Sequence, residues 1–147
     1  MSDNWLRFIP TDPQYLPSPQ AADNARKLLA ALTPHADAVT AKFKESVEFF
    51  DPGGNWSGVC CHICGADAEP WWQAAMDRAW DFSNLTVIAS YCGASVSLNE
   101  LRYVWPAGLA RFVLEVMNPN ISDLTAAEQG MLQETLGCRL RRIWVHI

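Results

Sequence analysis

Three of the five cysteines in this 147-residue chain fall within one short run, Val59-Cys60-Cys61-His62-Ile63-Cys64-Gly65, and a fourth, Cys92, stands in Tyr91-Cys92-Gly93. A Cys-x-x-Cys turn closed by glycine presents two sulfurs from one knuckle, and thiolates are good zinc ligands. The spacing therefore points to a metal set built on Cys61, Cys64 and Cys92. A tetrahedral site needs a fourth donor, for which the chain offers Cys60, His62 or Cys138. Neighbours on a strand point to opposite sides, so Cys60 and Cys61 are awkward partners for one ion. The competing role for these cysteines is burial as small apolar side chains.

Other thiol chemistries fit less well. A redox Cys-x-x-Cys wants its first thiol at a helix N-terminus, where the dipole stabilises thiolate, and the helix signal here comes only at Glu69-Pro70. A cysteine nucleophile wants a histidine base, and the three histidines are His35, His62 and His146, of which only His62 lies near a cysteine. No glycine-rich phosphate loop, Gly-x-Ser-x-Gly elbow or His-Glu-x-x-His helix occurs. A non-enzymatic binding or structural protein is the reading that remains, without a cofactor or with zinc, and a thiol-dependent enzyme ranks third.

Charge and aromatic residues mark where a partner would sit. Between residues 45 and 81 seven acids face the single base Arg78, a local charge of −6 in a chain of net charge −5, which leaves +1 for the rest. Such a field repels nucleic acid and attracts basic partners. Trp56, Trp71, Trp72 and Trp80 lie in the same stretch, and tryptophan is enriched at binding hot spots. Trp72 and Trp80 share the helical spacing of a buried stripe, so Trp56 and Trp71 are the candidate anchors beside Glu45, Glu48, Asp51, Asp67 and Glu69. Arg139, Arg141 and Arg142 lack an aromatic platform and are weak evidence for nucleic acid. No apolar run approaches the roughly 18 residues of a membrane span. The polar start and the odd cysteine count fit a cytoplasmic protein without a disulfide framework.

The elements that must position these residues are read from periodicity. Trp5–Pro10 predicts an edge strand followed by a proline-rich strap to residue 17. Ser18 caps a helix with Pro19 at its first position, stopped at Thr33-Pro34. Alternation from Val39 to Phe49, broken near Glu45, predicts a strand with a bend, and residues 51–55 a turn into a second hairpin strand at Trp56–Cys61. Glu69-Pro70 opens a helix with a buried stripe of Trp72, Ala75, Met76, Ala79 and Trp80. Leu85–Tyr91 suits a central strand buried on both faces. Ser97-Leu98-Asn99-Glu100 and Thr125-Ala126-Ala127-Glu128 are capping boxes for two more helices, the second closed by Gly137. Strands are expected around residues 110–116 and 140–147. The sum is one α+β domain over residues 1–147, with a mixed, mainly antiparallel sheet and three to four helices packed on it.

The run Cys61-His62-Ile63-Cys64-Gly65, with Trp71-Trp72, Tyr91-Cys92-Gly93, Ser97-Leu98-Asn99-Glu100-Leu101 and Trp105-Pro106-Ala107-Gly108-Leu109-Ala110-Arg111-Phe112, resembles a group of small uncharacterised bacterial proteins. Their knuckles read Cys-Pro-x-Cys-Gly and Cys-Cys-Gly. The resemblance covers most of the chain and implies no activity and no catalytic residues. It departs at His62, where the group has proline, and at Tyr91, where it has cysteine, which removes one presumptive ligand. By analogy with small acidic bacterial proteins of this kind, the expected role is an immunity protein or antitoxin that neutralises a basic toxin or effector. A small zinc-ribbon-like domain of structural role is the alternative.

Overall fold

The computed structural model describes residues 3–147. Four strands form the main sheet: β1 (Asn4–Pro10), β2 (Ala38–Phe50), β7 (Gly108–Met117) and β8 (Leu140–His146), in the order β2-β7-β1-β8. All its ladders are antiparallel. β1 is thus an inner strand and not an edge. It escapes the expected proline penalty because its only proline, Pro10, ends the strand opposite Leu140. β7 is the central strand, buried along almost its whole length. One face of the sheet carries Leu6, Phe8, Phe112, Leu114 and Val116 against two helices, and the other carries Ile9, Val113, Ile143 and Val145.

The helices on the first face are α1 (Pro19–Leu32) and α3 (Ala126–Leu136). Each begins as its sequence dictates. The Ser18 hydroxyl accepts from the Ala21 amide with Pro19 in the first turn, and Thr125 and Glu128 form a reciprocal capping box. Gly137 closes α3 with φ +77°, a backbone state that glycine adopts without penalty. Between them these helices bury Ala22, Ala25, Leu29, Leu132 and Leu136.

β2 does double duty. The break in alternation near Glu45, which suits a bend or a strand end, is a bulge within one continuous strand: the register on β7 shifts between Phe43 and Glu48. Before the bulge Val39 and Ala41 pack under the helices; after it Val47 and Phe49 join a second core. That second core belongs to a small lobe made from residues 56–107. It contains β3 (Val59–Cys60), α2 (Glu69–Arg78), β4 (Thr86–Ile88), β5 (Ser95–Ser97) and β6 (Arg102–Tyr103), with two-stranded ribbons β3-β6 and β4-β5.

Four expectations are corrected here. Residues 56–61 do not pair with β2, because the turn after Asp51 is held by the last strand: the Gly54 amide donates to the His146 carbonyl at 2.6 Å, and β3 pairs with β6 instead. Ser97-Leu98-Asn99-Glu100 makes a turn and not a helix. The Ser97 hydroxyl does accept from the Asn99 amide at 3.2 Å. But the buried Asn99 side chain is claimed elsewhere, donating to the Thr11 carbonyl at 3.0 Å and accepting from the Leu109 amide at 2.9 Å. Leu85–Tyr91 supplies only the short ribbon strand β4, with Ile88 exposed. Finally, α2 ends at Arg78, which leaves Trp80 outside the helix and 79% exposed. Three helices result among the described residues.

Candidate metal centre

The small lobe carries two turns of the same construction. In the first, β3 delivers Cys61, whose amide donates to the Ala66 carbonyl at 2.9 Å, while the Gly65 amide returns to the Cys61 carbonyl at 2.9 Å. Gly65 has φ +77°, which lets the chain reverse directly after Cys64. In the second, β4 delivers Ala89, whose amide donates to the Ala94 carbonyl at 2.9 Å, and Gly93, at φ +69°, donates to the Ala89 carbonyl at 2.8 Å. The two turns face each other.

Their sulfurs meet. The Sγ atoms of Cys61, Cys64 and Cys92 all lie within 4.8 Å of one another, and those of Cys61 and Cys92 are 3.8 Å apart. Two thiolates on one tetrahedral zinc, each about 2.3 Å from the ion, stand about 3.8 Å apart. A disulfide would need about 2.05 Å, and all five cysteines are free. Cys61 is buried, whereas Cys64 and Cys92 are exposed.

The electrostatics suit a cation. The backbone amides of Cys64 and then Ile63 point at the Cys61 sulfur and hold its pKa below the ordinary thiol value. Cys92 receives the Ala94 amide, which favours its thiolate. Burial and the neighbouring Cys61 and Cys64 outweigh that help, so its pKa is raised. Three thiolates so close repel one another, and a divalent ion relieves the repulsion. The three soft donors from two knuckles fit zinc in type and fall one short of a closed tetrahedral set.

The other candidate ligands lie apart from this cluster. Cys60 ends β3 directly before Cys61, pairs with Arg102 and bridges to Asp67, so its side chain takes the side opposite to that of Cys61. His62 is exposed and is not among the clustered groups. Cys138 packs against the helical core of the main sheet, where burial and, less strongly, Asp12 push its pKa up to about 11. Tyr91 is 65% exposed on the outside of the second turn.

A second feature shares the small-lobe core. Trp56 and Trp72 stack with ring centroids 5.1 Å apart, and Phe49 lies 5.6 Å from Trp72. The Trp72 indole donates to the Tyr103 hydroxyl at 3.2 Å, and that hydroxyl donates to the Leu98 carbonyl at 2.7 Å. Burial raises the Tyr103 pKa to about 12. The rings of Phe49, Trp56 and Trp72 form one wall of an open cavity of ≈ 680 Å³, completed by Trp80, Phe82, Asp51 and Asp77.

Of the residues proposed for partner binding, Asp51 and Trp56 line this cavity, and Glu69 lies beside it, accepting from the Trp56 indole at 3.1 Å. Asp67 caps the first turn of α2 by accepting from the Glu69 amide at 3.1 Å. Trp71 is half-buried against the small-lobe core. Glu45 and Glu48 are exposed at the bulge of β2 and do not line the cavity. Trp80 and Asp77 also line the cavity: a helical stripe extended to Trp80, two residues past the end of α2, assigns Trp80 to the core, and nothing in the sequence sets Asp77 apart from the other acids of the stretch. Two of the three C-terminal arginines are engaged internally, Arg141 with the Ala107 carbonyl and Arg142 with Asp123 and the Leu124 carbonyl.

Comparison of the chain with protein-family models, with curated proteins and with solved structures returned no match. No helix is long and apolar enough to cross a membrane among the described residues.

Proposed function

We propose that this chain is a metal-stapled, non-enzymatic interaction domain, in which zinc held by Cys61, Cys64 and Cys92 clamps the two knuckles of the small lobe. The convergence of three sulfurs from two separate turns carries this reading. The lobe needs such a staple, because its ribbons are only two or three residues long and short two-stranded ribbons are marginal alone. Closed four-ligand zinc sites supply ~10–16 kcal/mol of binding free energy to the fold that holds them, and a three-cysteine set supplies a part of that. Hydrogen exchange with and without a chelator tests the role: removing metal should release the amides of residues 59–66 and 86–97 and leave β1, β7 and β8 protected. Unchanged protection in the small lobe would contradict it.

The cavity favours a partner reading beside the structural one. Five aromatic rings and two carboxylates around an open groove suit a cationic side chain, through cation–π attraction and charge pairing. We infer that the groove receives a basic protein, in the manner of an immunity protein or antitoxin neutralising a toxin. Reversal of Asp51, Asp67 and Glu69 to lysine should slow association with such a partner by tenfold or more and flatten its salt dependence. Binding that ignores the reversal would remove this reading.

A further inference from the structure

The hydrogen bonds of the two turns put them in register, residue for residue. Cys61 and Ala89 each donate to the residue five positions on and accept from the glycine four positions on. Cys64 therefore corresponds to Cys92, Gly65 to Gly93, and Ile63 to Tyr91. Burial follows the same correspondence. Cys61 and Ala89 are buried to 2% and 1% exposure, Cys64 and Cys92 are exposed, and Ile63 and Tyr91 are 60% and 65% exposed. Tyr91 thus stands on the outside of its turn, where a side chain does not face the sulfurs. The place that matches the buried first ligand of the other knuckle belongs to Ala89.

From this geometry we infer that Ala89 occupies the fourth ligand position of a two-knuckle metal site, so that an ion held by Cys61, Cys64 and Cys92 keeps one coordination place for a small donor from solution. The inference rests on the metal reading of those three cysteines. Zinc that holds three thiolates from the protein completes its tetrahedron with a sulfur, nitrogen or oxygen donor, and in an open place reached from solution that donor is a solvent-derived oxygen or a small thiolate. Zinc sites with three protein ligands and one exchangeable position are the open kind, in contrast to closed four-ligand structural sites.

Cobalt(II) in place of zinc, added to the reduced full-length chain, reads the ligand set from its visible and charge-transfer bands. The unsubstituted protein should give a three-thiolate spectrum. Bands that shift with millimolar β-mercaptoethanol identify a thiol-accepting place, and bands that stay fixed identify a solvent oxygen. The Ala89→Cys variant should give a four-thiolate spectrum, indifferent to added thiol, and bind zinc at least tenfold more tightly. A four-thiolate spectrum from the unsubstituted chain would overturn the inference while leaving the metal reading intact, since Cys60 or Cys138 would then close the site. An Ala89→Cys protein with an unaltered main sheet but an unchanged spectrum and affinity would also overturn it. Failure of both proteins to bind cobalt would remove the metal reading itself. The response of the unsubstituted protein to thiol does not depend on the variant folding.

Discussion

The main sheet and the small lobe solve the same problem by different means. The sheet has strands of 7 to 13 residues, two capped helices and a core on each face. Long ladders and apolar burial suffice there. The small lobe has ribbons of two or three residues around a core that mixes alanines with aromatic rings. What it lacks in ladder it replaces with stacked tryptophans, a buried tyrosine hydrogen bond and three converging thiols. Regular structure holds where the chain can repeat, and specific chemistry holds where it cannot. The groove and the three-cysteine cluster both belong to the second kind of region.

The largest expected difference between the regions is their response to loss of metal. Cys61→Ser should abolish stoichiometric zinc binding and unfold the small lobe before the main sheet, seen as two separated transitions in a melt followed by tryptophan fluorescence and by far-UV dichroism. A single unshifted transition would break the comparison.

Next in size is the buried Glu115 on β7, which pairs with Lys42 at 2.7 Å and Arg7 at 2.9 Å. Burial alone would raise its pKa, but the two cations more than offset this and hold it below the ordinary carboxylate value. Its contribution is therefore present above the ordinary carboxylate pKa and is lost as pH falls through the depressed value. Glu115→Ala should cost about 1.5–3 kcal/mol in denaturant unfolding, because it removes the charge-assisted hydrogen bonds that a buried carboxylate makes to two partly exposed cations.

The small lobe should fail from the other end of the pH scale. Tyr103 ionises near 10 when unfolded and near 12 when folded, so its contribution is complete below pH 10 and disappears as pH rises toward 12. Tyr103→Phe should remove that alkaline loss, which ultraviolet titration of tyrosinate against fluorescence of the Trp56–Trp72 stack would show. Smallest of all, Trp80→Ala should change stability by less than about 0.5 kcal/mol, since the side chain is 79% exposed, while weakening any basic partner that uses the groove.

The contrast also explains what could be read from the sequence. Ser18-Pro19, Thr125 to Glu128 and Gly137 are local signals whose partners lie within a turn, and α1 and α3 begin and end where those signals stand. The bulge near Glu45 showed as a break in alternation. Long-range competition erased other signals. Asn99 in the Ser97 box is drawn away by Thr11 and Leu109, and the Gly53-Gly54 turn is taken by His146. Cys61, Cys64 and Cys92 were legible because their side chains carry chemistry. Ala89 was not, since alanine carries none. Only aligning Cys64-Gly65 with Cys92-Gly93 would have set position 89 opposite position 61.

The central claim is that three thiols from two knuckles hold one ion. Elemental analysis of the reduced protein, purified without chelator, tests it directly. The expected result is one zinc per chain, retained through gel filtration and lost in Cys61→Ser. Less than about a tenth of an equivalent, from protein whose five thiols are all free and titratable, would contradict the claim, since an ion that staples the small lobe stays with the folded protein through purification.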